Sequence, residues 1–161
     1  FSVEGDGLQH LMKRYSEEYV RLTATLERPF DGCVPLLRAL RAAGRKLAIA
    51  TGKGQLGADN ATRRMGLEPY FDSIHGILPG TPGKPHPAVL QRALDALGVA
   101  PEDAIMIGDT TFDMDMAAAL GVDAVAVDWG VHNRAVLMGR TPVFYADDMA
   151  ALGDWLCGRY S

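Results

Sequence analysis

The chain has 161 residues, 16 Lys and Arg against 20 Asp and Glu, and a formal net charge of −4. That length fits one domain able to bury a real core. The mild acidity and scattered basic residues speak against a nucleic-acid partner, and no apolar run reaches membrane-spanning length, so no membrane partner is expected.

The amino terminus, Phe1 to Gly7, carries neither an initiator Met nor a signal-peptide pattern, and the protein is expected in the cytoplasm. Leu8–Leu26 reads as a helix, with Leu8, Leu11, Met12, Tyr15, Tyr19, Leu22 and Leu26 recurring at three- and four-residue steps. Pro29 and Gly32 break it. Val34–Ala43 is a second amphipathic helix, stopped at Gly44. Lys46–Ala50 is a nearly continuous apolar run, the pattern of a strand buried on both faces of a parallel sheet, and ends at Thr51-Gly52-Lys53-Gly54. Gln55–Met65 is helical, Asp72–Leu78 contains a short strand, and Pro79–Pro87 is a Gly/Pro loop holding Lys84. Ala88–Leu97 is a helix stopped at Gly98. Ala104–Ile107 is a buried strand, followed by Gly108, Asp109 and a helical run closed by Gly121. Asp123–Val127 is a strand, Asn133–Gly139 a short helix, and Val143–Tyr145 a last strand. Asp148–Leu156 closes the chain as a helix capped by Asp147 or Asp148. This alternation predicts an α/β fold with a mostly parallel sheet.

Three strand tips carry polar residues: Thr51, Asp109 and Asp128. Open α/β sheets place ligands at the carboxyl ends of their strands. Asp109 and Asp113, one turn apart, suit a hard cation such as Mg²⁺, which takes oxygen ligands and keeps several waters. On the plainer alternative Asp109 caps the helix and Asp113 is a first-turn dipole residue. The Thr51 hydroxyl and the amides of Gly52 and Lys53, set at a helix start, form an anion pocket, or merely a strand-to-helix turn. Lys84 supplies a positive point charge for phosphate, or is solvated. Lys53 binds substrate or faces water. His86 reads as a loop or helix-start residue, Asp115 as solvated, and Asp128 as closing a strand. Cys33 and Cys157 read as free thiols. An anion pocket, a lysine and two metal carboxylates on one sheet edge are what phosphoryl transfer needs, where positioning and charge stabilisation dominate.

Taken in order, the strand ending in Thr51, Lys84 in G-K-P-H-P and the run G-D-T-T-F-D resemble the haloacid dehalogenase superfamily of phosphatases. The run P-F-D-G-C-V-P-L-L over Pro29–Leu37 and Val127-Asp128-Trp129-Gly130 bring the resemblance closest to its phosphoglycolate-phosphatase-like branch. The resemblance implies a Rossmann-like three-layer core over 29–161 and, over 1–28, the remnant of a helical cap. It also implies Mg²⁺ as cofactor and a small-molecule phosphomonoester as partner, in a monomer or homodimer. Carried over by position, Thr51 and Gly52 bind phosphate, Lys84 neutralises phosphate and nucleophile, Asp109 ligates Mg²⁺, and Asp113 supports the metal shell or Lys84. The activity implied is hydrolysis through a phosphoaspartyl intermediate.

The family's nucleophile, the first aspartate of D-x-D-G-T on an earlier central strand, has no counterpart here. Glu4-Gly5-Asp6-Gly7 mimics that motif loosely, but only three residues precede Glu4, too few for a central strand of ~5–6 residues. The expectation is therefore a partial core, missing a strand between those ending at Thr51 and Asp109, and inactive alone. A non-catalytic phospholigand- or partner-binding relative is the alternative. A receiver domain fits poorly, since its acidic pair precedes its Thr and Lys.

Overall fold

The structure, a computed structural model, describes Gly7, His10, Leu11, Arg14, Glu18, Arg21 and residues 27–159. The predicted helix over 8–26 lies largely outside the described residues; His10, Leu11, Arg14, Glu18 and Arg21, within it, are helical and exposed. From residue 27 on, strands and helices alternate as α1 (Cys33–Ala42), β1 (Ala48–Gly54), α2 (Gln55–Arg64), β2 (Ser73–Ile77), α3 (Ala88–Leu97), β3 (Ile105–Gly108), α4 (Thr111–Ala118), β4 (Asp123–Val127), α5 (Arg134–Met138), β5 (Phe144–Ala146) and α6 (Met149–Arg159). Every strand pairing is parallel, as the helical crossovers between strands require.

Apolar alternation along β4 explains the layering. Val125 and Val127 face one way, into a cluster with Ala146, Leu152 and Leu156 against which Leu36 and Leu40 of α1 pack. Ala126 faces the other way, with Met114, Leu137 and Tyr145. Because residues two apart share a face, β4 is buried on both sides, with Val125 and Ala126 at 0% exposure. Helix α3 joins α4 over β3 through Val89, Leu90, Leu94, Met106, Met116 and Ala117. The result is a Rossmann-like core of helices on both faces of parallel strands.

The strands form two sheets, β1-β2 and β3-β4-β5. Among the described residues each of β1 and β3 pairs on one side only. A groove of about 620 Å³ separates them, lined by Ala48, Ile49 and Ala50 from one edge and Ile105, Met106 and Ile107 from the other. This accounts for a departure from expectation. The apolar run of β1 predicts burial on both faces, yet its residues 48–51 are only half-buried. Ile107 stays 38% exposed.

Two boundaries also differ from those expected. Strand β1 starts two residues later than predicted and continues through Thr51 to Gly54, because β2 keeps pairing beyond an irregularity and joins Gly54 to Ile77. Helix α4 ends at Ala118 rather than running to Gly121, whose φ of 72° closes the following turn. Ala88–Leu97 and Asp123–Val127 coincide with the sequence reading. Asp148 is the residue that caps α6, accepting from the Ala151 amide at 2.8 Å. Among the described residues no helix is long and apolar enough to cross a membrane.

Candidate active site

The carboxyl ends of β1 and β3 and the loop before α3 meet around a pocket of about 460 Å³ lined by Thr51, Gly52, Gly83, Lys84, Asp109, Thr110, Phe112 and Asp113. Thr51, Gly52, Lys84, Asp109 and Asp113, expected to act in phosphate binding or metal ligation, therefore line one cavity, while Lys53, whose amide is expected beside them, does not. Residues up to 62 positions apart in sequence converge there because parallel strands point the same ends the same way.

Asp113 is 4% exposed. Its Oδ1 meets the Lys84 ammonium at 2.5 Å, with the Lys84 side chain itself 15% exposed. Its Oδ2 accepts from the Thr110 amide at 3.0 Å and the Thr110 hydroxyl at 2.7 Å. Thr110 in turn closes a capping box with Asp113 at the start of α4. Buried charges persist when paired and hydrogen-bonded, and here one carboxylate fixes both the lysine and the helix start. Gly108 makes room for it: a Cβ there would fall 2.3 Å from Asp113 Cβ.

Asp109 does not cap the helix; Thr110 does. Asp109 Oδ2 accepts from the Val131 amide at 2.8 Å. The Asp109 carbonyl accepts from the His132 amide at 3.1 Å. His132 Nδ1 accepts from the Thr111 amide at 3.0 Å, and its ring lies 6.0 Å from that of Phe112. The Val131–His132 segment thus holds Asp109 through two hydrogen bonds and also contacts the first turn of α4. No hydrogen bond reaches Asp109 Oδ1 among the described residues, and this oxygen remains for a ligand. Sequence reasoning marked Val127–Gly130 as part of the family resemblance but did not foresee the contact with Asp109, which nothing in the spacing announces. The T-T-F-D spacing did carry the capping-box signal.

The anion pocket differs from expectation in one respect. Thr51 lies within β1, four residues before α2 begins, so no helix start frames it. The Lys53 amide donates to Thr51 Oγ1 at 3.3 Å instead of pointing into the cavity. Thr51 and Gly52 still line the pocket.

Lys53 is not solvated. Its ammonium lies 3.0 Å from Glu27 Oε1, and Arg64 bonds Glu27 Oε2. Burial alone would raise the Glu27 carboxyl, but hydrogen bonds from these two cations hold it below its ordinary 4.5. Asp128 accepts from the Tyr145 hydroxyl; burial and that bond push the phenol to about 12. Asp115 pairs with Arg140 at 2.6 Å, and His86 Nδ1 accepts from the Ala88 amide at the start of α3. Neither Cys33 nor Cys157 forms a disulfide among the described residues.

The residues fit a Mg²⁺ site in their chemistry: Asp109 offers a hard oxygen toward the pocket, and Mg²⁺ needs few protein carboxylates because it keeps several waters. Among the described residues no group of three or more His, Cys, Asp or Glu side chains could hold a metal.

A hydroxyl and an open carboxylate at strand tips, with a clamped lysine from the loop before α3, define an α/β protein with one polar pocket at the carboxyl ends of its strands. The profile of the haloacid dehalogenase-like hydrolases matches residues 3–127, and the chain belongs to that family. It is 36% identical over 137 residues to the tyrosine-protein kinase PtkA of Mycobacterium tuberculosis, covering 85% of this chain and 47% of that protein. It is 38% identical over 129 residues to the phosphoglycolate phosphatase of Rhodospirillum rubrum, covering 79% and 52%. Its fold matches a haloacid dehalogenase-like family hydrolase from Streptococcus pneumoniae with a TM-score of 0.82 at 28% identity, over 96% of this chain and 72% of that one. The chain thus spans about half the length of these two curated relatives.

Proposed function

We propose that this chain forms most of the catalytic core of a Mg²⁺-dependent phosphatase acting on a small phosphorylated metabolite of the phosphoglycolate kind. The observation that carries this reading is the convergence of Thr51, Lys84, Asp109 and Asp113 on one pocket. The Thr51 hydroxyl donates to a phosphate oxygen, and Gly52 lets the substrate approach the backbone closely. Lys84, held by Asp113, balances charge on the phosphoryl group and on the attacking carboxylate. Asp109 holds the metal, which when bound lowers the repulsion between those two anions.

The attacking carboxylate comes from a strand that fills the groove between β1 and β3. Among the described residues, the facing edges leave backbone donors and acceptors without ladder partners, an arrangement costly to bury. A parallel strand there would complete one sheet and place its carboxyl end between Thr51 and Asp109. Its aspartate attacks phosphorus, a phosphoaspartyl bond forms, and the ester oxygen leaves with a proton from a second carboxylic acid. Water then cleaves the acyl phosphate. Residues 1–28, in this reading, belong to a cap that sets substrate choice, and the chain alone is inactive.

The test is hydrolysis of p-nitrophenyl phosphate and phosphoglycolate by the complete protein with and without Mg²⁺. Turnover should require the metal and fall by roughly 100-fold or more in Asp109→Asn, the scale set by losing a key electrostatic group. Full-rate hydrolysis by that variant would sink the assignment. The likeness to PtkA favours a second reading, phosphoryl transfer from ATP to a tyrosine hydroxyl at the same pocket. Label appearing on a tyrosine peptide, with no hydrolysis of either ester, would select it. Phosphate binding without either reaction would select a non-catalytic module.

A further inference from the structure

We propose that Phe112 is the specificity-determining wall of the pocket, the surface on which the leaving group of the phosphoester packs, and that it selects esters whose leaving group presents a flat apolar face, as an aryl group does. This rests on the phosphatase reading of the pocket and extends it from compact esters to aryl esters.

Placement is the first argument. Among the described residues lining the pocket, Phe112 alone carries a wholly apolar side chain; the others are Thr, Lys, Asp and Gly. The first turn of α4 buries Thr111 and Asp113 on either side of it and leaves Phe112 48% exposed. A single exposed apolar side chain is ordinary on a protein surface, but this one faces a polar cavity. Helix α4 starts at Thr111, past the end of β3 at Gly108, so Phe112 stands beyond the strand tip that carries Asp109. In an in-line displacement the leaving oxygen lies opposite the attacking one. With the attacking carboxylate arriving from the groove between β1 and β3, the leaving group projects past the tips, toward the first turn of α4.

The setting of the ring is the second argument. His132 lies beside it, with ring centroids 6.0 Å apart and planes at 56°. That imidazole is itself fixed: its Nδ1 accepts from the Thr111 amide at 3.0 Å, and the His132 amide donates to the Asp109 carbonyl at 3.1 Å. One residue thus touches the ring, the start of α4 and the strand tip. A ring braced in this way loses little freedom when a ligand covers it. Its exposed surface sheds water when a flat apolar group takes the place of solvent, and aromatic faces gain further from offset or edge-on partners. A compact or charged leaving group gains neither.

The experiment compares binding, so it does not depend on turnover. Benzylphosphonate carries a phosphonate head with a ring on a one-carbon arm in the place of the ester oxygen. Ethylphosphonate ends the same arm in a methyl group. Both are titrated calorimetrically into the complete protein with Mg²⁺ present. The wild type should prefer benzylphosphonate by about 10-fold or more, the scale on which an apolar contact of this size discriminates. Phe112→Ala should remove most of that preference, Phe112→Leu should reduce it, and Phe112→Tyr should keep it. Taking the ratio cancels any change at the phosphonate head common to both ligands. No preference in the wild type, or one as large in Phe112→Ala, would overturn the proposal. If Phe112→Ala does not fold, Phe112→Leu decides by the same ratio. The phosphatase reading fails on a different observation, absence of ester hydrolysis, which leaves the binding ratio intact as a measure of the Phe112 wall.

Discussion

Gly130→Ala is the perturbation whose effect the coordinates determine most directly. The added Cβ would fall 2.0 Å from Asp109 Cβ, 2.4 Å from its Oδ2 and 2.5 Å from its Cγ, where ordinary contact begins near 3.4 Å. The two must separate by about 1.4 Å, since repulsion rises steeply inside contact distance. Backing away also stretches the 2.8 Å bond from the Val131 amide to Oδ2. Overpacking costs about 1–3 kcal/mol, and weakening a hydrogen bond to a carboxylate adds roughly 1 kcal/mol. For a chain of this size, each kcal/mol lowers Tm by ~2–4 °C, so a fall of about 5–10 °C is expected. The functional effect is larger. A displacement of ~1 Å at a reacting constellation costs on the order of 100-fold, so kcat/KM should drop by at least that much, with Mg²⁺ affinity falling alongside. The assays are thermal unfolding by circular dichroism, Mg²⁺ titration, and steady-state hydrolysis by the complete protein. Activity within threefold of wild type and an unchanged Mg²⁺ dependence would show that the loop does not position Asp109.

Asp113→Asn should strand Lys84 beside a neutral amide in a largely buried setting; breaking a buried pair costs about 3–5 kcal/mol, and the lower end applies because Lys84 keeps some solvent access. Unfolding by urea should read a loss near 3 kcal/mol, whereas no loss would mean Lys84 finds another partner. Glu27 gives a pH signature. Its folded carboxyl titrates below the ordinary 4.5, so its contribution is fully present above that value and is lost as pH falls through the depressed one. The wild type should therefore lose Tm more steeply than Glu27→Gln as pH drops from about 5 to 3. Parallel curves would mean the two cations do not stabilise the charged carboxylate.

Much of this architecture was readable from local pattern. Helix α3 and strand β4 match their predicted limits because a Gly with φ of 59° at position 98 and an unbroken apolar run at 123–127 are local causes. Lys84, Thr51, Asp109 and Asp113 were singled out because each sits beside a strand end or in a proline-fixed loop, and the parallel topology implied by strand–helix alternation brings such ends together. The reading of Lys53 stayed open because its partner, Glu27, lies 26 residues away. No period or motif links those positions.

Some things the sequence could not contain. Its spacing placed Asp109 and Asp113 one turn apart, and the family resemblance left Asp113 to support either a metal shell or Lys84; packing shows which contact it makes. Asp113 is sealed against Lys84 and Thr110, while Asp109 keeps one oxygen toward the pocket. The grip of the Gly130–His132 loop arises where β4 ends beside β3, a contact between segments 22 residues apart. The open groove beside β1 likewise shows only when strands are assembled, because an apolar run states that a strand wants neighbours on both sides and not whether they are there. The sequence alone determined which elements form and which polar residues stand at strand ends, since these follow from local sterics and periodicity. Tertiary structure alone decided which carboxylate is held and which is open, since burial and hydrogen-bond pairing are properties of neighbours distant in the chain.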